Sequence, residues 1–137
     1  MNTIHTSDCL AIHLHPLLRV VEVEWLDFAS GENFRSGVRE VLRQCQEHAV
    51  LGWICNNLHM RAIRAADLAW YETELAPQFR TLPTLCCVVL VESDDAMNRM
   101  ALADLARRRP ANLPFSQATC ATVVAARTWV RTALAAA

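Results

Sequence analysis

The sequence predicts a single α/β domain: a mostly parallel sheet with an N-terminal antiparallel hairpin and helices packed on it. Three observations predict this class. Two early segments alternate apolar and polar residues with a two-residue period, two later segments are short uninterrupted apolar runs, and the intervals after the early pair carry the 3.6-residue period of amphipathic helices. A chain of 137 residues, 53% hydrophobic and 20% charged, has enough apolar surface for one core. One domain spanning residues 1–137 is expected.

Leu10, Ile12 and Leu14 alternate with Ala11, His13 and His15, and Val21, Val23 and Trp25 alternate with Val20, Glu22 and Glu24. His15-Pro16 supplies the turn between them, so the two segments pair as an antiparallel hairpin at a sheet edge. Ser30 caps a helix with Glu32 in its first turn, where a carboxylate meets the positive end of the helix dipole. Phe34, Val38, Val41, Leu42 and Cys45 form its apolar stripe. Residues 50–55 and 85–91 are apolar runs of the kind covered on both sheet faces. Between them a helix over 65–79 places Leu68, Tyr71, Leu75 and Phe79 on one side, and Pro77 should end or kink it. Asp94 and Asp95 open a third helix through Met97, Ala101 and Leu105, which ends before Arg107, Arg108, Arg109 and Pro110. Residues 115–120 are a weaker last strand. Thr122 then caps a helix carrying Ala126, Trp129, Val130, Ala133 and Leu134.

The resulting order is β-β-α-β-α-β-α-β-α. Right-handed crossovers make such an alternation mostly parallel, and functional groups of parallel sheets collect in loops at the carboxyl ends of the strands. Here those loops are residues 55–63 and 92–95.

Composition excludes several function classes. Thirteen basic residues, all Arg, against fourteen acidic ones leave a net charge of -1, without the electrostatic footprint of a nucleic-acid binder. No apolar stretch reaches the ~20 residues that span a bilayer. The start lacks the basic-then-apolar pattern of a signal peptide, so a soluble cytoplasmic protein is expected, with its six cysteines reduced. Gly31, Gly37 and Gly52 form no phosphate-cradling loop and no dinucleotide fingerprint. No cofactor is expected.

The chemistry-bearing residues form no complete catalytic constellation. His13 and His15 share a strand face, but a metal site needs a third ligand, and Cys9 on that strand lies about 13 Å from His13. Two solvated histidines is the favoured reading, and no metal is assigned. Cys55 and His59 are too loosely related to be a nucleophile and its base, so no catalytic residue is assigned. Arg61 and Arg64 precede the second helix, where backbone amides and guanidinium groups together suit an anion. Trp70 stands off the main stripe of that helix, where it can line a cleft.

Trp25 closing the second strand, the polar pair Asn56-Asn57, Ala66-Asp67-Leu68-Ala69-Trp70 with a later Pro77, and Ala126 followed by Trp129-Val130 occur in an order and spacing that resembles the SpoIIAA-like branch of the STAS domains, over residues 10–134. The resemblance implies that fold and an interaction module. The anti-sigma-factor antagonists of the family are switched by phosphorylation of a Ser or Thr at the start of the helix after the third strand. This chain departs there: residues 56–66 contain no Ser or Thr, which removes the phosphoswitch.

The function expected is therefore a non-enzymatic binding or regulatory module of STAS-like type, with another protein as partner and with Asn56, Asn57, His59, Arg61, Arg64, Trp70 and Asp94 at its binding surface. Two alternatives stay open. One is a carrier of a small apolar or anionic ligand, with a cavity lined by Trp70, Leu58, Ile63 and Phe79. The other is a metal- or thiol-dependent enzyme using His13, His15, Cys55 or His59. The exposed hairpin edge also allows a homodimer.

Overall fold

The computed structural model describes residues 1–110 and 112–137. The chain runs through β1 (Asn2–Thr6), β2 (Leu10–His15), β3 (Val20–Asp27), α1 (Glu32–Glu47), β4 (Gly52–Met60), α2 (Ala65–Trp70), a π-helical turn (Tyr71–Leu75), α3 (Ala76–Arg80), β5 (Cys87–Val91), α4 (Ala96–Arg107), β6 (Ser116–Cys120) and α5 (Val123–Ala135). The six strands form one sheet in chain order. β1, β2 and β3 pair antiparallel, and β3 through β6 pair parallel. The α/β class is thus the one the alternation of elements predicts. No helix among the described residues is long and apolar enough to cross a membrane.

The predicted hairpin is β2–β3, with Leu10 opposite Trp25 and His15 opposite Val20. It is not at the edge of the sheet, because β1 pairs along β2 and leaves β1 and β6 as the edges. β1 escapes prediction because its only apolar residue is Ile4, half-buried against the core. A strand with one apolar anchor has no period to read; its partner strand creates it.

β4 corrects a second expectation. The apolar run stops at Cys55, but the strand continues to Met60, so Asn56, Asn57 and His59 belong to a strand and not to the loop after it. β3 decides this: beyond a register shift between Glu24 and Leu26 it keeps pairing, with Leu26 opposite His59 and Asp27 opposite Met60. Backbone hydrogen bonds extend a strand regardless of side-chain polarity when a neighbour remains alongside.

Two helix ends also differ from expectation. Ser30 does not cap α1; the cap position is Gly31, at φ 55°, a backbone region that favours glycine, and its N–H donates to Asp67 Oδ2 at 2.9 Å. Pro77 neither ends nor visibly stops the second helical stretch, which continues to Arg80. Having no N–H, Pro77 cannot bond the carbonyl of Thr73. The chain widens one turn upstream, where the Ala76 N–H donates to the Tyr71 carbonyl, and the Gln78 side chain donates to the Glu74 carbonyl at 2.9 Å. Asp95 and Thr122 cap α4 and α5 as expected, the Asp95 carboxylate accepting from the N–H groups of Met97 and Asn98.

Side-chain alternation divides the interior in two. Leu10, Ile12, Val23, Trp25, Trp53 and Val88 face α1 and α3, packing on Phe34, Val38, Val41 and Phe79. Val20, Ile54, Cys87, Val89 and Val91 face α5, packing on Ala126 and Val130. β5 is the doubly covered strand expected from residues 85–91, with Val89 and Val91 wholly buried.

Candidate functional site

A cavity of about 200 Å³ lies on the α1 to α4 face of the sheet. Its floor alternates along the parallel strands: Trp53, Cys55 and Asn57 from β4, Val88 and Leu90 from β5, Gln117 and Thr119 from β6. One wall is the stripe predicted for the second helix, with Leu68, Tyr71 and Phe79, to which the widened turn adds Glu72 and, beyond it, α3 adds Arg80. Leu102, Leu105 and the exposed Arg109 stand on the α4 side.

The cavity exists because α4 does not close onto the sheet. Its sole buried residue is Asn98, in the first turn. Leu102 and Leu105 are only half-buried, and beneath them β6 presents polar Gln117 and Thr119 instead of a second apolar layer. Opposite, large rings hold the walls apart: Trp53 stacks on Phe79 with centroids 4.6 Å apart, and Trp25 on Phe34 at 5.5 Å. Packed rings of this size resist collapse into the space between them.

Several polar atoms border this apolar space. Trp53 is 8% exposed, and its indole Nε1 is buried without an acceptor among the described residues. Asn57 is 3% exposed; its Oδ1 accepts from the Cys55 thiol at 3.3 Å. Burial pushes the Cys55 thiol up to about 12, opposed by its bond to Asn57. Burial also raises the Tyr71 hydroxyl, with the nearby Cys55 adding to the effect and Arg80 opposing it. Both groups therefore stay protonated at neutral pH and serve as hydrogen-bonding walls, since the thiolate is the nucleophilic form of cysteine.

The residues expected at a binding surface do not come together. Asn57 reaches the cavity. Asn56 points to the opposite face, its Oδ1 accepting from the Leu58 N–H at 3.2 Å. His59 is exposed on β4, four residues from Cys55 and hence about 13 Å along the strand. Arg61 pairs with Asp27 at 2.9 Å, and Arg64 lies over the Phe28 ring at 5.8 Å. Asp94 is exposed and contributes its backbone N–H to the Leu58 carbonyl.

Trp70 does not line this cavity. It meets Phe34 edge-on and is covered by Arg35 and Arg39 at 5.1 and 5.3 Å. Of the lining expected for a carrier, Ile63 and Phe79 border the cavity while Trp70 and Leu58 do not. His13 and His15 face Glu24 and Glu22 at 3.5 and 3.6 Å, and the described residues contain no group of three metal-ligating side chains.

Sequence reading missed Trp53, Tyr71, Arg80, Leu105, Gln117 and Thr119. The signal that could have found the three strand residues among them is parity: positions 53, 55 and 57 share a strand face, as do 117 and 119. Arg80 had no such signal, because the widened turn changes which residues share a helix face. No family model, curated protein or solved structure matches the chain.

Proposed function

We propose that the chain is a non-enzymatic binding module of STAS-like type whose working site is this cavity, occupied by a small, largely apolar molecule. The observation that carries the reading is a space of about 200 Å³ walled by Trp25, Trp53, Tyr71 and Phe79. An apolar void of ~150 Å³ in another protein's core takes up benzene. The present cavity is therefore matched to one ring with a small substituent, and its mostly apolar lining favours such a guest. High-pKa, protonated Cys55 and Tyr71 supply polarity for holding a ligand in place and no nucleophile for transforming it.

Toluene is a direct probe. A ligand that binds only the folded state adds about 2.7 kcal/mol of stability at 100 times its Kd, so thermal unfolding should shift upward with toluene concentration. Leu105→Trp, which fills the α4 side of the cavity, should melt cooperatively and lose the shift. No shift in the unsubstituted protein would refute the reading.

A further inference from the structure

Among the described residues, the buried side-chain polar atom that borders the cavity without a partner is a donor. Trp53 Nε1–H has no acceptor among the described residues, and an indole nitrogen only donates. The Asn57 oxygen is engaged by the Cys55 thiol, while its amide NH₂ has no partner among the described residues. The Tyr71 hydroxyl donates to no group among the described residues and is held protonated by burial. Arg80 is half-buried at the cavity wall, with no carboxylate within ion-pair distance among the described residues. The acidic lining residue, Glu72, is already held by Arg108 at 3.4 Å. A buried donor left unmade costs free energy, so an occupant that brings an acceptor to the Trp53 N–H recovers what the empty cavity forgoes.

Two further features narrow the chemistry. The walls are planar rings, with Trp53 and Phe79 stacked and Tyr71 tilted against Phe79 at 6.4 Å, which suits a flat guest. Arg80 presents a planar fork of donors whose geometry matches a carboxylate. We propose that the cavity binds a single-ring aromatic carboxylate, with the ring among Trp53, Tyr71 and Phe79 and the carboxylate directed to Arg80. This rests on the reading of the cavity as a ligand site given above. Trp53 Nε1–H and the Asn57 amide complete the acceptor-seeking surface.

Calorimetric titration of the full chain with benzoate, toluene, benzylamine and hexanoate tests this at neutral pH. Benzoate is expected to bind at least about ten-fold more tightly than toluene, hexanoate to bind more weakly than benzoate, and benzylamine not to bind. Arg80→Gln should remove most of the benzoate advantage and leave toluene affinity within about two-fold; Arg80→Lys should restore part of it. Circular dichroism confirms that each variant is folded.

If toluene binds and benzoate is no tighter, or if Arg80→Gln weakens both ligands equally, the carboxylate proposal falls while the cavity remains a ligand site. If hexanoate equals benzoate, the aromatic part falls. If neither toluene nor benzoate binds, both proposals fall together.

Discussion

On the α5 face of the sheet, a Cβ placed on Gly52 would stand 3.2 Å from both Cys87 Sγ and Val130 Cγ1 and 3.3 Å from Val20. The space beside His15 and Arg127 on that face amounts to about 10 Å³, the limit for one water molecule. On the other face the same strands leave about 200 Å³. The difference lies in side-chain shape. Toward α5 the strands present Val20, Ile54, Val89 and Val91, short branched residues that let Ala126 and Val130 approach closely. Toward α1 to α4 they present Trp25 and Trp53, which act as pillars, and α4 offers too little apolar surface to close the gap.

Polar chemistry divides the same way. Glu22, buried beneath α5, is held by Arg127 Nε and Nη2, each at 2.8 Å, with His15 at 3.6 Å. On the cavity face the Trp53 N–H is buried without an acceptor among the described residues. On the α5 face the buried charge is paired within the chain, although His15 Nε2 lacks a hydrogen-bond partner among the described residues.

The strongest way to break this contrast is Val89→Asp. Val89 is wholly buried, and an unpaired carboxylate there costs several kcal/mol against a stability of roughly 5–15 kcal/mol. Loss of the cooperative melt by circular dichroism is expected; an unchanged melt would show that the α5 face is no tighter than the cavity face.

Arg127→Met comes next, because it strands Glu22 as a buried unpaired charge, at about 3–5 kcal/mol by urea unfolding at pH 7. Its pH dependence carries a sign. In the parent protein burial pushes the Glu22 carboxyl up, but the hydrogen bonds and charge of Arg127, with His15, outweigh burial and hold it below its ordinary 4.5. A depressed folded value means that this stability is present above about pH 4.5 and is lost as pH falls through the lower folded value. In Arg127→Met the raising effect of burial dominates, so acidification toward pH 4 should narrow the gap between variant and parent. A gap that widens on acidification would contradict the assignment.

Two glycines sharpen the comparison at smaller amplitude. A Cβ on Gly37 would approach Trp25 to 2.9 Å, closer than any contact at Gly52. Trp25 borders the cavity and has room to shift, and alanine in α1 gains up to about 1 kcal/mol of helix propensity. Gly37→Ala should therefore change stability by less than about 1 kcal/mol, while Gly52→Ala, with no space to yield into, should cost about 1–3 kcal/mol. The reverse order of melting temperatures would mean that the cavity walls are rigid.

The smallest effect is expected at the rim. Arg61 and its partner Asp27 are both largely exposed, so Arg61→Ser should alter stability by about half a kcal/mol or less and leave toluene binding intact. Impaired binding would move the site toward the segment that follows β4.

Among the expected site residues, Asn57 reaches the cavity by a route the sequence does not show: the apolar run ends before it, and strand parity turns it inward. The wall of Leu68, Tyr71 and Phe79 is legible as a helical stripe from their spacing, whereas the π-helical turn shifts the face and brings Glu72 and Arg80 to the same wall. The departures share one cause. Asn56, His59 and β1 are polar or unpatterned segments, and whether such a segment is strand or loop depends on the neighbour that bonds its backbone.

By itself the sequence determined the α/β class, the β2–β3 hairpin, the doubly buried β5 and the caps Asp95 and Thr122, because these depend on short-range periodicity and on side chains bonding their own backbone. Only the tertiary structure decided that β4 runs on to Met60, that β1 closes one edge, and that α4 stands off the sheet above Cys55, Asn57 and Arg80. Each of those is a relation between segments distant in the chain, and a void is defined by what several elements together fail to fill.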